Sequence, residues 1–313
     1  MIPQASPIDD SPGDVGGAIP GAPGEHAYAL IRRDPSPIPV LLAVPHAGRG
    51  YPPSLLAQMR DAAGAGLKLE DRYVDLLARA VARETGAGLL LAHAPRAMID
   101  LNRAPEEMDW DMLADGGDAA RDSLRPARRA RGGLGLVPRR LPGLGEIWKR
   151  RMTRADLEAR LAGVHVPYHA ALAGELKALK ARWGAALLID LHSMPPLGPK
   201  RGTQASADFV IGDRFGSSCD GALCAAAFDY FAAAGRRAAH NRPYAGGYVL
   251  DRHAAPARGV HGLQVEICRA VYLDERLREP GPGFEAVAKL LTGLVRRLAS
   301  EFALVGTMRH AAE

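Results

Sequence analysis

Two histidines stand where short apolar runs give way to loops. Val-Leu-Leu-Ala-Val at 40–44 breaks at Pro45-His46-Ala47-Gly48, and the run from Ala185 to Leu191 breaks at His192-Ser193-Met194-Pro195. A lone histidine in such a loop can simply bond to backbone; two of them, brought together, are nitrogen donors for a metal. A catalytic zinc takes about three His or carboxylate ligands and leaves one position for water. The third ligand is open between Glu70, Asp71 and Asp75, with Asp71 preferred, although acids at a helix start also suit the helix dipole. Asp190 lies two residues before His192, on the same side of a strand, where it can orient the imidazole.

Glu266 sits in the apolar stretch Gln264-Val265-Glu266-Ile267-Cys268. Burial raises a carboxyl pKa, which suits a group that must both take and return a proton, unless an arginine such as Arg269 pairs with it. Arg96 is a candidate to stabilise a developing oxyanion. Asn102 and Arg103 are candidates to hold a substrate carboxylate, since guanidinium grips it through two bonds; Asp100 or Glu106 offer Arg103 a structural alternative. Arg242 and Tyr244, in the glycine-rich loop Asn241–Tyr248, are further candidates for substrate contact. This set supports metal-assisted hydrolysis.

The elements that must position these groups alternate between short apolar strands and helical stretches. Strands are expected at Val40–Val44, Gly88–Ala92, Ala97–Leu101, Ala185–Leu191, Phe209–Gly212 and Leu263–Ile267. Helices are expected over Leu69–Thr85, over Thr153–Lys180 with a break near Pro167, over Ala222–Ala234, and from about Phe284 to Phe302. Such alternation predicts an α/β fold with a largely parallel sheet covered on both faces. Residues 1–25 read as a flexible leader, 26–313 as one domain, and 104–145 as a long Gly/Pro-rich and basic excursion, suspected of covering the site.

With 313 residues, 47% hydrophobic and 24% charged, the composition is that of a globular protein. The net charge of +5 is densest at 121–140 and 149–154, without the interleaved aromatics of a strand-binding groove. It fits attraction of a small anion better than nucleic-acid binding. Cys219, Cys224 and Cys268 form no CxxC pair and suit a reduced, cytoplasmic setting. No apolar run approaches a membrane span and no signal peptide is evident, so no membrane partner is expected. Oligomeric state is left open.

Taken in order, the segments VPHAGRGYP (44–52), LEDRYVDLL (69–77), RAMIDLNR (96–103), GLGLVPRR (133–140), VPYH (166–169), LIDLHSMP (188–195), FVIGDRFGSSCD (209–220), NRPYAGGY (241–248) and HGLQVEICRAVYLDE (261–275) resemble the N-formylglutamate amidohydrolase family. That resemblance implies a single α/β domain with a mixed, mostly parallel central sheet flanked by helices, like the zinc carboxypeptidases and aspartoacylases. It implies one zinc ion on His46 and His192, activation of its water by Glu266, and a substrate carboxylate on Asn102 and Arg103. It suggests cleavage of the formyl amide of N-formyl-L-glutamate, within histidine breakdown. One position departs from the carboxypeptidase pattern: Arg49 stands where a glutamate ligand follows the first histidine by three residues. Asp71 is therefore an inference from the residues and no part of the match. Two other readings stay open, a zinc hydrolase of another N-acyl amino acid or short peptide, and a binding protein for an anionic metabolite or metal.

Overall fold

The computed structural model describes residues 13–115, 132–198 and 206–310. Its frame is an eight-stranded sheet in the order β1-β2-β4-β3-β7-β10-β8-β9. These strands are β1 (Asp14–Gly16), β2 (Tyr28–Ile31), β3 (Val40–Val44), β4 (Gly88–Ala92), β7 (Ala186–Met194), β8 (Phe209–Gly212), β9 (Ala238–His240) and β10 (Val260–Cys268). A separate hairpin pairs β5 (Arg140–Leu141) with β6 (Gly145–Glu146). The central strands β4, β3, β7 and β10 are parallel, while β2 and β8 pair antiparallel on either side of them. The sheet is mixed and mostly parallel at its centre, as expected.

Strand periodicity divides the core. Val40, Leu42 and Val44 of β3 pack to one face with α3 (Val74–Thr85), α6 (Gly221–Ala233) and α7 (Phe284–His310), while Leu41 and Ala43 pack to the other. That other face is covered by α5 (Val166–Trp183) and by α1 (Pro53–Gln58) and α2 (Ala62–Leu69). In β7 and β10, Leu187, Ile189, Leu191, Leu263, Val265 and Ile267 serve the first face. Side chains alternate along a strand, so Asp190, His192, Gln264 and Glu266 belong to the second.

Four sequence expectations change. The helix expected from Leu69 begins at Val74, because Tyr73 adopts φ +60° and separates α2 from α3. Asp71 thus lies in a tight junction, its N–H donating to the His46 carbonyl at 2.9 Å. Ala97–Leu101 is a chain of turns and no strand: all but Asp100 are buried apolar residues, yet their backbone bonds to Leu136 and to the Arg160 guanidinium, so no ladder forms. Residues 13–25 are part of the fold and no flexible leader, since β1 pairs with β2 and Ile19 is buried; residues 1–12 lie outside the described residues. The described flanks of the 104–145 excursion are core, with Met108, Leu136 and Val137 fully buried, which does not suit a free flap. Its middle, with most of the 121–140 basic stretch, lies outside the described residues.

The expected break near Pro167 is present in a specific form. α4 (Arg154–Arg160) runs through a π-helical turn, Leu161–His165, directly into α5. A residue without an N–H cannot hold the regular ladder, and the widened turn accommodates it.

Candidate active site

Parallel strands gather ligands at their carboxyl ends, and here β3, β7 and β10 deliver His46, His192 and Glu266 to one place. His192 lies opposite Glu266 in the β7–β10 register, so the two share a face and a level. Both strands extend further than the sequence suggests, which makes His192 a strand residue. His46 follows β3 directly, and Asp71 is carried to it by the α2–α3 junction.

The three potential ligand groups converge. His192 Nδ1 lies 3.1 Å from His46 Nδ1 and 3.0 Å from Asp71 Oδ2, and His46 Nδ1 lies 3.5 Å from the same carboxylate oxygen. All three residues are buried, and they form one group of potential ligands. The outer nitrogens fix the tautomers: His46 Nε2 lies 2.7 Å from Asp100 Oδ1 and His192 Nε2 lies 2.8 Å from Asp190 Oδ2. An ionised carboxylate only accepts, so each Nε2 carries hydrogen and each Nδ1 of a neutral ring is left with a lone pair. Two nitrogen lone pairs and a carboxylate oxygen then face one another in a buried space, which a cation must compensate. Tetrahedral zinc with N and O ligands at ~2.0–2.2 Å separates them by about 3.3–3.5 Å, close to the spacing found. The residues fit the ion.

The electrostatics agree. Burial would raise the Asp71 carboxyl, but its contacts with the His192 and His46 imidazoles hold it well down. Burial would likewise lower His192, but Asp190 and Asp71 raise it well above the ordinary imidazole range. Asp100, despite burial, is held well below the usual carboxylate range by Arg96 and His46.

Glu266 is different. Burial pushes its carboxyl up to about 7, against the pull of His192 and Arg96, with Asp71 and Asp190 adding to the rise. Gln264 Nε2 donates to its Oε1 at 3.0 Å, and among the described residues it has no ion-pair partner. Arg269, the alternative partner, turns instead to Ser193 Oγ and to the carbonyls of Leu67 and Glu70.

Of the other candidates, Arg96 stands beside the site, its Nε and Nη2 each 2.9 Å from Asp100 Oδ2. Tyr244 is half-buried and feels the charges of Glu266, Arg96 and Asp71. Arg242, two residues earlier, is exposed. Asn102 and Arg103 lie beside the site, Asn102 Nδ2 3.5 Å from His192 Nε2, and are also held by the protein itself. Asn102 donates to Gln264 and accepts from the Val249 N–H at 2.9 Å. Arg103 donates to the carbonyls of Leu134 and Asn102 at 3.0 and 2.8 Å. Both bind the protein's own frame, because a buried donor takes the nearest carbonyl available to it. Glu70 and Asp75, the alternatives to Asp71, pair with Arg72 and Arg49 at the rim.

Sequence reasoning missed the bracing roles of Asp100 and Gln264. Both were detectable, since Asp100 precedes Asn102 by two residues and Gln264 shares the strand face of Glu266. It also missed His165 and His169, whose Nε2 atoms donate at 3.0 Å to the carbonyls of Arg103 and Leu101. His253 Nε2 in turn lies 2.9 Å from His169 Nδ1. These histidines hold the Asp100–Arg103 segment from behind.

The family model described as N-formylglutamate amidohydrolase matches residues 38–273. This chain belongs to that family. It is 29% identical over 286 residues to the N-formylglutamate deformylase of Pseudomonas aeruginosa, covering 88% of this chain and 96% of that one. The same identity holds with the Pseudomonas putida N-formylglutamate deformylase over 288 residues, 87% of this chain and 95% of that one. A crystal structure of the N-formylglutamate amidohydrolase from Ralstonia eutropha JMP134 superposes with a TM-score of 0.80 at 32% identity, covering 90% of this chain and 99% of that one. The α/β fold is thus a family property. Among the described residues, no helix is long and apolar enough to cross a membrane.

Proposed function

We propose that this chain hydrolyses N-formyl-L-glutamate to formate and glutamate, using one divalent ion held by His46 Nδ1, Asp71 Oδ2 and His192 Nδ1. The observation that carries the reading is the convergence of three lone-pair donors in a buried space beside a carboxyl that titrates near neutrality. The donor set favours zinc, with cobalt and manganese as accepted substitutes. Such an ion supplies Lewis acidity toward the amide carbonyl and lowers the pKa of a water beside it.

The rest is the work of the chain's own side chains. Asp100 and Asp190 accept from the Nε2 atoms and hold both rings in the tautomer that turns Nδ1 inward. Glu266 takes a proton from the attacking water and gives it to the amide nitrogen as the carbon–nitrogen bond breaks. A carboxyl near 7 is suited to both transfers at neutral pH. Arg96, already oriented by Asp100, faces the charge that develops on the formyl oxygen. Tyr244 and Arg242, on the Asn241–Tyr248 loop, contact the carboxylates of the amino acid. Asn102 and Arg103 act by positioning that wall.

The relatives are named for N-formylglutamate, and the net charge of +5 favours an anionic substrate of that kind. The three buried free thiols fit a reducing, cytoplasmic setting, consistent with a place in histidine breakdown. A second reading of the substrate is another N-acyl amino acid or short peptide: Arg242, the cation proposed for a side-chain carboxylate, is exposed on its loop.

Formate release measured with N-formyl, N-acetyl and dipeptide substrates, before and after chelation, tests both readings. Rapid turnover of N-formyl-L-glutamate that chelation abolishes is expected. Faster turnover of another acyl amino acid selects the second reading, and turnover indifferent to chelation removes the ion from the mechanism.

A further inference from the structure

A second group of potential ligands lies on the opposite face of the sheet. Asp213 follows β8, His240 ends β9, and Cys224 lies in the first turns of α6, the helix that connects them. β8 and β9 are parallel neighbours, so this β-α-β unit brings its two strand ends and its helix start together. His240 Nε2 lies 3.0 Å from Asp213 Oδ2 and 3.5 Å from Cys224 Sγ. Both contacts fall on the same ring nitrogen. A hydrogen-bond relay through imidazole would use the two different nitrogens; three donors aimed at one point suit a shared ion instead. For tetrahedral zinc at ~2.0–2.2 Å from N and O and ~2.3 Å from S, the corresponding separations are about 3.4 and 3.6 Å.

We propose that Asp213, Cys224 and His240 form a second divalent-metal site, selective for zinc-like ions, that clamps the β8–α6–β9 edge of the sheet. The donors are already oriented. Asp213 Oδ1 accepts from Asn241 Nδ2 at 2.7 Å and from the Gly216 N–H at 3.0 Å, which turns Oδ2 toward His240. The His240 ring stands edge-on to Phe228, 5.3 Å between centroids. Asp213 and Cys224 are buried while His240 is half exposed, so the ion enters from the solvent side and keeps a position for water. The sulfur and imidazole donors select zinc or cobalt over magnesium and calcium. Burial and the Asp213 charge push the free Cys224 thiol up to about 12, so without an ion it is a poor nucleophile; a bound cation takes it over as thiolate. The proton leaves to solvent. This site stands independently of the hydrolytic reading, because it shares no ligand with the inner triad.

The test is titration of the chelator-stripped full-length protein with Co²⁺ alone, following the sulfur-to-cobalt charge-transfer band. A band corresponding to one sulfur-ligated Co²⁺ per chain, complete by two equivalents of total cobalt because the inner group also takes up the ion, is expected in the wild type. Cys224→Ser abolishes it and leaves deformylation unchanged, while the surface substitution His240→Ala weakens the cobalt affinity reported by the band by at least about tenfold. No band in the wild type, a band that survives Cys224→Ser, or an unchanged titration in His240→Ala each overturns the proposal.

Discussion

The two ligand groups use similar residue types in opposite settings. In the inner one, His46, Asp71 and His192 are all buried, and two further carboxylates, Asp100 and Asp190, back the imidazoles. In the outer one, a single histidine is half exposed, a thiol replaces the second imidazole, and an amide, Asn241, does the bracing. The inner group also has Glu266 beside it, a carboxyl left without an ion-pair partner among the described residues. The outer group has no such neighbour among the described residues. On the proposed readings, what separates a centre for turnover from one for holding is the company of the ligands. An unpaired, proton-exchanging acid marks the first; attachment to a short edge strand marks the second.

The contrast breaks most sharply at the inner imidazoles. His192→Ala should lose the inner ion and lower formate release by on the order of a thousandfold or more, because no other group there generates a nucleophile at neutral pH. Metal content and single-turnover assays check this, and a variant retaining both ion and rate would remove the distinction. Glu266→Gln should keep the ion and lose roughly 10²–10⁴-fold in kcat, the range of a general acid–base. An equal fall in metal content would recast Glu266 as a ligand.

Smaller effects should follow from the bracing acids. Asp100→Asn and Asp190→Asn each should weaken metal affinity by about 10–100-fold. Cys224→Ser should leave turnover intact, so the two classes of substitution ought to separate cleanly in one comparison of zinc affinity with kcat. A fall in kcat for Cys224→Ser comparable with that of Asp190→Asn would merge the two centres.

The smallest effect concerns histidines that bind no ion. Burial pushes His169 down to about 2 and His253 down to about 4. Folded values below the unfolded value of about 6.5 mean that, as pH falls through that value, the unfolded chain takes up protons the fold refuses. Stability is fully present above about pH 6.5 and declines toward pH 4, by up to about 1.4 kcal/mol per pH unit for each group. Thermal melts of His253→Gln should show a shallower acid decline than the wild type. Identical slopes would show that these rings are not what makes the protein acid-sensitive.

Much of the inner site was legible because strand ends announce themselves: His46, His192 and Glu266 interrupt apolar runs, and Asp190 follows from the two-residue period. Asp71 was only one of three acids in a presumed helix, since nothing in the local pattern signals that Tyr73 would take a left-handed conformation and open a junction there. Asn102 and Arg103 could be read as polar groups at the site, but the Val249 N–H and the Leu134 carbonyl that also hold them could not, because sequence gives the chemistry of a side chain and not its neighbours. Ala97–Leu101 has the composition of a strand and lacks only a neighbour, which is a property of the whole sheet. The outer group was invisible for the same reason. Its residues come from three elements, and only the β8–α6–β9 crossover brings them together.

The parallel pairing of β7 with β10 matches Asp190 to Gln264 and His192 to Glu266, one rung after another. Slipping that pairing by a single rung would carry the acid to the wrong face, so neither strand tolerates an insertion. Diversification of this scaffold toward new acyl groups is thereby directed to side chains on its connecting loops, such as Arg242 and Tyr244, while Asn241 and Ala245 stay tied to the end of β8.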